Sequence, residues 1–159
     1  MTLRSVAIAV ADAAAMEALG SALARLGRRG QVLYLHGPLA AGKTTLARGY
    51  LRALGHVGAV KSPTFTLVES YELAAARVHH FDLYRLADPA ELEFIGIDEY
   101  ADEGADLLVE WAGRGAGVVP PATLEVRIAL AGDARQVTVE AAVESDSEVI
   151  SRIKRLYET

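Results

Sequence analysis

Gly37-Pro38-Leu39-Ala40-Ala41-Gly42-Lys43-Thr44 reads G-x-x-x-x-G-K-T, and each fixed position of that spacing has a task in holding phosphate. Gly37 lets the chain turn sharply out of the apolar run before it, and Gly42 lets the main chain approach phosphate oxygens closely. Successive backbone N–H groups would then point into one concavity at a helix N-terminus, where the helix dipole also favours an anion. Lys43 would set its charge on the β- and γ-phosphates. The Thr44 hydroxyl could complete the coordination of Mg²⁺, a cation that takes oxygen ligands. The pattern predicts a nucleotide-binding loop.

Phosphoryl transfer also needs the metal held from a second direction and a group that orients the nucleophile. Acidic residues at strand ends are natural suppliers, because strand C-termini line the ligand crevice of open α/β sheets. Asp82 follows Val78-His-His-Phe81, and Glu110 follows Leu107-Leu-Val109. Each could equally be a solvated carboxylate where a strand meets a loop, and the residues alone leave both readings open. His79 and His80 are adjacent in a strand, so they point to opposite faces and cannot clasp one ion together. Trp111, the sole tryptophan, has packing as its ordinary role but stands beside Glu110. Arg85 and Arg135 are candidate phosphate contacts, with a plain surface role as the alternative. The chain has no asparagine, so the guanine-selecting N-K-x-D motif is absent, which favours an adenine nucleotide.

These residues need elements to position them. Asp12 can cap a helix whose Met16, Leu19, Leu23 and Leu26 recur at helical spacing, with Gly27 as its stop. Gln31 to His36 reads as a strand running into the glycine of the loop. Lys43 to Leu54 reads as a helix with Leu46, Tyr50 and Leu54 on one face. Phe65 to Tyr71 and Val78 to Leu83 read as strands joined by Glu72 to Arg77. Asp88-Pro89 starts a brief helix that ends by Gly96, and Asp106 to Trp111 is a further apolar strand. The Gly113 to Gly117 loop and Pro120-Pro121 break the chain. Leu124, Val126, Ile128 and Leu130 then alternate, as do Val137 and Val139 after Gly132-Asp133, which predicts a two-stranded hairpin. Val149, Ile150, Ile153 and Leu156 predict a closing amphipathic helix. The order is α/β first and antiparallel β late, within one domain over 1–159.

At 159 residues, with 52% hydrophobic and 23% charged, the chain has the balance of a globular domain able to bury a core. A net charge of −5 disfavours unaided, sequence-independent gripping of nucleic acid. Cysteine is absent, which excludes disulfides and thiolate metal sites and fits a reducing cytosol. No apolar run approaches the roughly 20 residues needed to span a bilayer. The short apolar stretch Met1 to Val10 reads as mature sequence rather than a secretory signal. The expected location is cytoplasmic.

Four blocks together resemble one family, the TsaE proteins, bacterial ATPases of tRNA threonylcarbamoyladenosine biosynthesis. They are the loop Gly37 to Thr45, Lys61-Ser-Pro-Thr-Phe-Thr-Leu-Val-Glu69, His80-Phe-Asp-Leu-Tyr-Arg-Leu86 and Val109-Glu-Trp111. Glu91-Leu-Glu-Phe-Ile-Gly96 is also similar to the family, and the likeness runs from about Asp12 to Arg135. The resemblance implies a P-loop NTPase-like three-layer fold with a mixed sheet. It implies an ATPase that uses ATP and Mg²⁺, acts with the partner proteins TsaB and TsaD, and meets tRNA only through them. Lys43 would bind phosphates, Thr44 and Glu110 would hold Mg²⁺, and Asp82 would act near the metal or the attacking water. Ala40, Ala41, Gly42 and Thr45 would complete the loop. Ser62, Pro63, Thr64, Phe65 and Thr66 would form a switch-like segment sensing the γ-phosphate. Trp111 would support the site or face a partner, and Arg135 and the backbone of Asp12 and Ala13 would reach the nucleotide. The family loop usually reads G-[DE]-L-G-A-G-K-T, so Pro38 and Ala40 depart from it. Alanine tolerates left-handed backbone angles poorly. Two other activities share the loop: a small-molecule kinase, for which no long lid insertion is visible, and a nucleotide-sensing adaptor that does not hydrolyse.

Overall fold

The computed structural model describes residues 4–102 and 104–158. Met1 to Leu3, the head of the apolar N-terminal stretch, lie outside the described residues.

A seven-stranded mixed sheet forms the middle layer. Its strands are β1 (Ser5–Val10), β2 (Val32–His36), β3 (Val68–Glu72), β4 (Arg77–Asp82), β5 (Asp106–Glu110), β6 (Leu124–Ala131) and β7 (Ala134–Ala141). Their spatial order is β1-β7-β6-β2-β5-β4-β3. β2 lies parallel to both β5 and β6, and β4 lies parallel to β5, while the β1–β7, β6–β7 and β3–β4 pairs are antiparallel. The parallel strands β2, β4 and β5 read as nearly unbroken buried runs, as strands covered on both faces do. The predicted hairpin is β6–β7, closed through Gly132 and Asp133, with Gly132 at φ 63°.

Helices cover both faces. On one side lie α1 (Ala13–Leu26), α2 (Lys43–Ala53) and α5 (Ser147–Tyr157). Their Met16, Leu19, Leu23, Leu46, Leu51, Ile150 and Ile153 pack on Leu33, Leu35, Val126 and Val139 of the sheet. On the other side lie α3 (Ala90–Phe94) and α4 (Ile97–Asp102), whose Leu92 and Ile97 meet Phe81, Leu107 and Val109. None of these helices is long and apolar enough to cross a membrane.

α1 starts where expected: the Asp12 carboxylate accepts from Ala15 N–H at 2.9 Å. α1 and α2 then run so close that each needs a glycine at the crossing. A Cβ on Gly20 would fall on the Leu46 carbonyl oxygen, and one on Gly49 would fall on the Glu17 carbonyl oxygen. The α1–β2 loop and α2 are further tied to the start of β5. Asp106, fully buried, accepts from Gly30 N–H (2.7 Å) and the Tyr50 hydroxyl (2.7 Å) and pairs with Arg29 at 2.9 Å. Burial pushes the Asp106 carboxyl above its ordinary value; the Tyr50 and Gly30 hydrogen bonds and the Arg29 charge oppose that rise.

Three expectations are corrected. The strand expected over Phe65 to Tyr71 begins only at Val68. Pro63 to Thr66 form a turn, closed by Leu67 N–H to the Pro63 carbonyl (2.8 Å), and Leu67 takes φ 71° to leave it. Residues 5–10, read only as an apolar stretch, form the edge strand β1, whose Ile8 and Val10 turn inward. Leu156, expected on the buried face of α5, is 56% exposed; the buried residues of that helix end at Ile153. α4 and the short 3₁₀ turn at Ala112–Gly115 are additional to the expected elements.

Candidate nucleotide-binding site

β2 is the central strand, and at its C-terminal end the chain passes through Gly37 into the loop and then directly into α2. Gly42 caps that helix with φ 117°, an angle that an L side chain adopts only under strain. The first intrahelical bond runs from Leu46 N–H to the Gly42 carbonyl at 2.9 Å. The amides of Gly42, Lys43, Thr44 and Thr45 therefore have no partner within the helix. Ala40 adopts φ 63°, so the loop keeps its left-handed turn without a glycine there.

Two clefts meet along this loop, sharing Ala40, Gly42 and Thr45 in their walls. The first is closed by Asp12, Ala13 and Met16 from the β1–α1 junction and by Asp133 and Arg135 from the β6–β7 turn. Arg135 Nε donates to the Ala41 carbonyl at 3.0 Å, which pins the hairpin to the loop. The second cleft gathers Lys43, Thr44, Ser62, Thr64, Asp82, Glu110 and Trp111. Asp82 and Glu110 are register partners at the ends of neighbouring parallel strands, so their side chains leave the same face of the sheet. Both are buried, at 5% and 3% exposure.

Lys43, 6% exposed, donates from Nζ to the Gly37 carbonyl at 2.6 Å and lies 4.2 Å from the centre of the Trp111 ring. Burial lowers the Lys43 pKa, while the Glu110 and Asp82 charges pull it back up. Asp82 accepts from the Thr64 hydroxyl at 2.9 Å and from Tyr84 N–H at 3.0 Å. Thr64 in turn shares a hydrogen bond with Ser62 at 2.8 Å. Phe65 is 81% exposed and carries the Arg85 guanidinium 4.3 Å from its ring centre. Thr66 donates to Glu69 at 3.0 Å, and Pro63 supplies the carbonyl that closes the turn.

The donor set suits a magnesium-bound triphosphate. Helix-start amides and an ammonium would face the anion, and a hydroxyl with two carboxylates would supply the hard oxygen ligands that Mg²⁺ takes in small number. Of the residues expected on sequence grounds, Ala40, Gly42, Lys43, Thr44, Thr45, Ser62, Thr64, Asp82, Glu110 and Trp111 line the second cleft and Asp12, Ala13, Ala41 and Arg135 the first, whereas Pro63, Phe65 and Thr66 line neither and Arg85 is engaged with Phe65. The two histidines diverge: His79 shares a hydrogen bond with Ser70 and meets the Tyr100 ring at 4.6 Å, whereas His80 reaches Glu110. His80 and Asp133 were not foreseen in the site. The i, i+2 spacing of His80 and Asp82 along one strand was the available signal for the histidine.

Comparison with known proteins points one way. The family described as threonylcarbamoyl adenosine biosynthesis protein TsaE matches residues 10–137. A Haemophilus influenzae protein named tRNA threonylcarbamoyladenosine biosynthesis protein TsaE is 49% identical over 120 residues, 76% of each chain. A Bacillus subtilis protein of the same name is 38% identical over 126 residues, covering 79% of this chain and 78% of the relative. The crystal structure of Bacillus subtilis YdiB superposes with a TM-score of 0.83 at 28% identity, covering 99% of both chains.

Proposed function

The chain belongs to the TsaE family of tRNA threonylcarbamoyladenosine biosynthesis, and we propose that it serves there as a Mg²⁺-dependent ATPase acting on a TsaB–TsaD complex. The observation that carries this reading is the convergence of Lys43, Thr44, Asp82 and Glu110 on one cleft at the end of the central strand. Bound Mg²⁺ would neutralise charge on the phosphate oxygens.

The chain's own groups do the rest. The amides of Gly42 to Thr45 cradle the phosphate tail, and Lys43 exchanges its bond to the Gly37 carbonyl for phosphate oxygens. Thr44 and Glu110 present oxygens to the metal. Asp82, at the mouth of the β4 strand, orients water. Arg135 and the Asp12–Ala13 turn close over the nucleoside end. Ser62 to Thr66 and Trp111 form the partner-facing rim, and the tRNA is met through the partners, in keeping with the net charge of −5. We take residues 1–159 to act as one domain, working in the cytoplasm.

Slow turnover by the isolated protein follows from this arrangement. Asp82 is already occupied by Thr64, so a contact that draws the 62–66 turn away would release it. Calorimetry with ATP and Mg²⁺ tests the core of the reading: Lys43→Ala should weaken binding at least about tenfold, as loss of charge-assisted phosphate contacts would. Phosphate release should rise when TsaB and TsaD homologues are added. Unchanged ATP affinity in Lys43→Ala would rule out the loop as the binding site.

A further inference from the structure

His80 is fully buried, and its Nε2 lies 2.7 Å from Oε2 of Glu110. The sheet register explains the contact. His80 pairs with Leu108 and Asp82 pairs with Glu110 across β4 and β5, so His80, Asp82 and Glu110 share one face and the ring reaches diagonally forward. The other ring nitrogen, Nδ1, is buried without a hydrogen-bond partner. The histidine thus makes its one hydrogen bond to the carboxylate of the site. A leucine or phenylalanine would fill such a core position without burying a bare ring nitrogen, but neither could reach the carboxylate.

The geometry also selects the tautomer. With Nε2 carrying the proton, an N–H donates to the carboxylate oxygen and only a lone pair is left unmatched at Nδ1. The opposite tautomer would set two lone pairs against each other across 2.7 Å and bury an orphan N–H.

We propose that His80 is a positioning residue: its Nε2–H fixes Oε2 of Glu110 and so presents Oε1 to the metal side of the cleft. This rests on Glu110 being a metal ligand, as in the function proposed above. Glu110 is anchored a second time, since its carbonyl accepts from Leu83 N–H at 3.0 Å. Between them the two bonds hold both ends of the residue. Without the ring, a glutamate has three free side-chain torsions and an ammonium, Lys43, on the wall of the same cleft. Turning toward Lys43 would quench the charge meant for phosphate. Partners that orient a metal ligand are commonly worth 10- to 100-fold in metal affinity or rate.

The experiment compares wild type, His80→Phe and His80→Gln. ATP affinity is measured by calorimetry in EDTA and again in Mg²⁺, and kcat and KM for phosphate release are measured separately. His80→Phe should keep the EDTA affinity, lose roughly 10- to 100-fold of the Mg²⁺-dependent gain and lower kcat more than it raises KM. His80→Gln, which keeps a donor at the same reach, should recover most of both. A Mg²⁺ gain unchanged in His80→Phe, or a loss as deep in folded His80→Gln, overturns the proposal. Should His80→Phe not fold, nitrogen NMR of wild type decides: Nε2–H supports it and Nδ1–H overturns it. Wild type that binds no ATP would instead defeat the proposed function, while the NMR result would still judge the His80–Glu110 bond.

Discussion

Three residues other than glycine hold left-handed backbone angles among the described residues, and two of them, Ala40 and Trp111, line the cleft. They are Ala40 (φ 63°) in the loop, Leu67 (φ 71°) behind the Pro63–Thr66 turn and Trp111 (φ 58°) after Glu110. Such angles cost about 1–2 kcal/mol for an L residue, and strain of this kind persists where surrounding contacts over-determine the chain. Trp111 is held by Lys43 on its face and by the Tyr84 ring at 5.0 Å, and Leu67 by its bond to Pro63. Ala40 has no such hold: its methyl sits on an exposed loop. Replacing it with glycine should relieve the angle at the cost of about 0.4–1 kcal/mol of unfolded-chain entropy. Ala40→Gly should therefore stabilise the fold by about 0.5–1 kcal/mol, read from the urea midpoint; a lower midpoint would show that the loop is not strained at that position. The strain at Ala40 was legible through the family resemblance, because the usual family loop has glycine where Ala40 stands. That at Leu67 and Trp111 was not, since neither side chain marks a turn and both angles are set by contacts far along the chain.

At the level of elements, what the sequence revealed and what it hid divide by the source of the signal. α1, α2 and the β6–β7 hairpin carry their own periodicity, caps and turn residues, and they stand where those signals put them. β1 was hidden because Ala7 and Ala9 blur its alternation and its pairing partner lies more than a hundred residues away. Phe65 to Leu67 misled in the other direction: their composition suits a strand, but Thr64 bonds to Asp82 within a turn that leaves Phe65 and Thr66 exposed. The α1–α2 crossing is likewise invisible locally, because a glycine inside a helix normally costs about 1 kcal/mol against alanine. Here the sign reverses. A Cβ at Gly49 would lie 2.7 Å from the Glu17 Cα, with the Glu17 carbonyl oxygen closer still, and backbone cannot yield as a side chain tip can. Overpacking of this kind costs about 1–3 kcal/mol, which outweighs the propensity gain. Gly49→Ala should lower stability by about 1–2 kcal/mol in urea unfolding and also weaken ATP, since α1 carries Met16 and α2 carries Thr45 into the same cleft. A stabilised, fully ATP-competent Gly49→Ala would mean the helices sit farther apart than described.

Taken whole, the molecule divides at its central strand. β1, β7 and β6 lie on one side of β2 and form, with α1, the cleft of Asp12, Met16, Asp133 and Arg135; β5, β4 and β3 lie on the other and carry Glu110, Asp82 and the 62–66 turn. The loop after β2 belongs to both. A nucleotide laid along it would therefore meet its nucleoside through one half of the sheet and its reacting phosphate through the other. This division predicts how losses combine. Arg135→Ala should weaken ADP and ATP by the same factor, because it removes a contact at the end the two ligands share. Asp82→Asn should leave ADP affinity in EDTA unchanged and reduce only the Mg²⁺-dependent preference for ATP. Sites that are well separated and share no partner add in free energy to within about 0.5 kcal/mol. The double variant should accordingly lose the sum of the two single losses when ATP–Mg²⁺ binding is measured by calorimetry. Arg135 also ties the hairpin to the loop through the Ala41 carbonyl, so the loop links the halves at the cleft, beside β2, which pairs with both β5 and β6. A double-variant loss that departs from the sum by more than about 1 kcal/mol would show that the loop transmits strain between them rather than serving each independently.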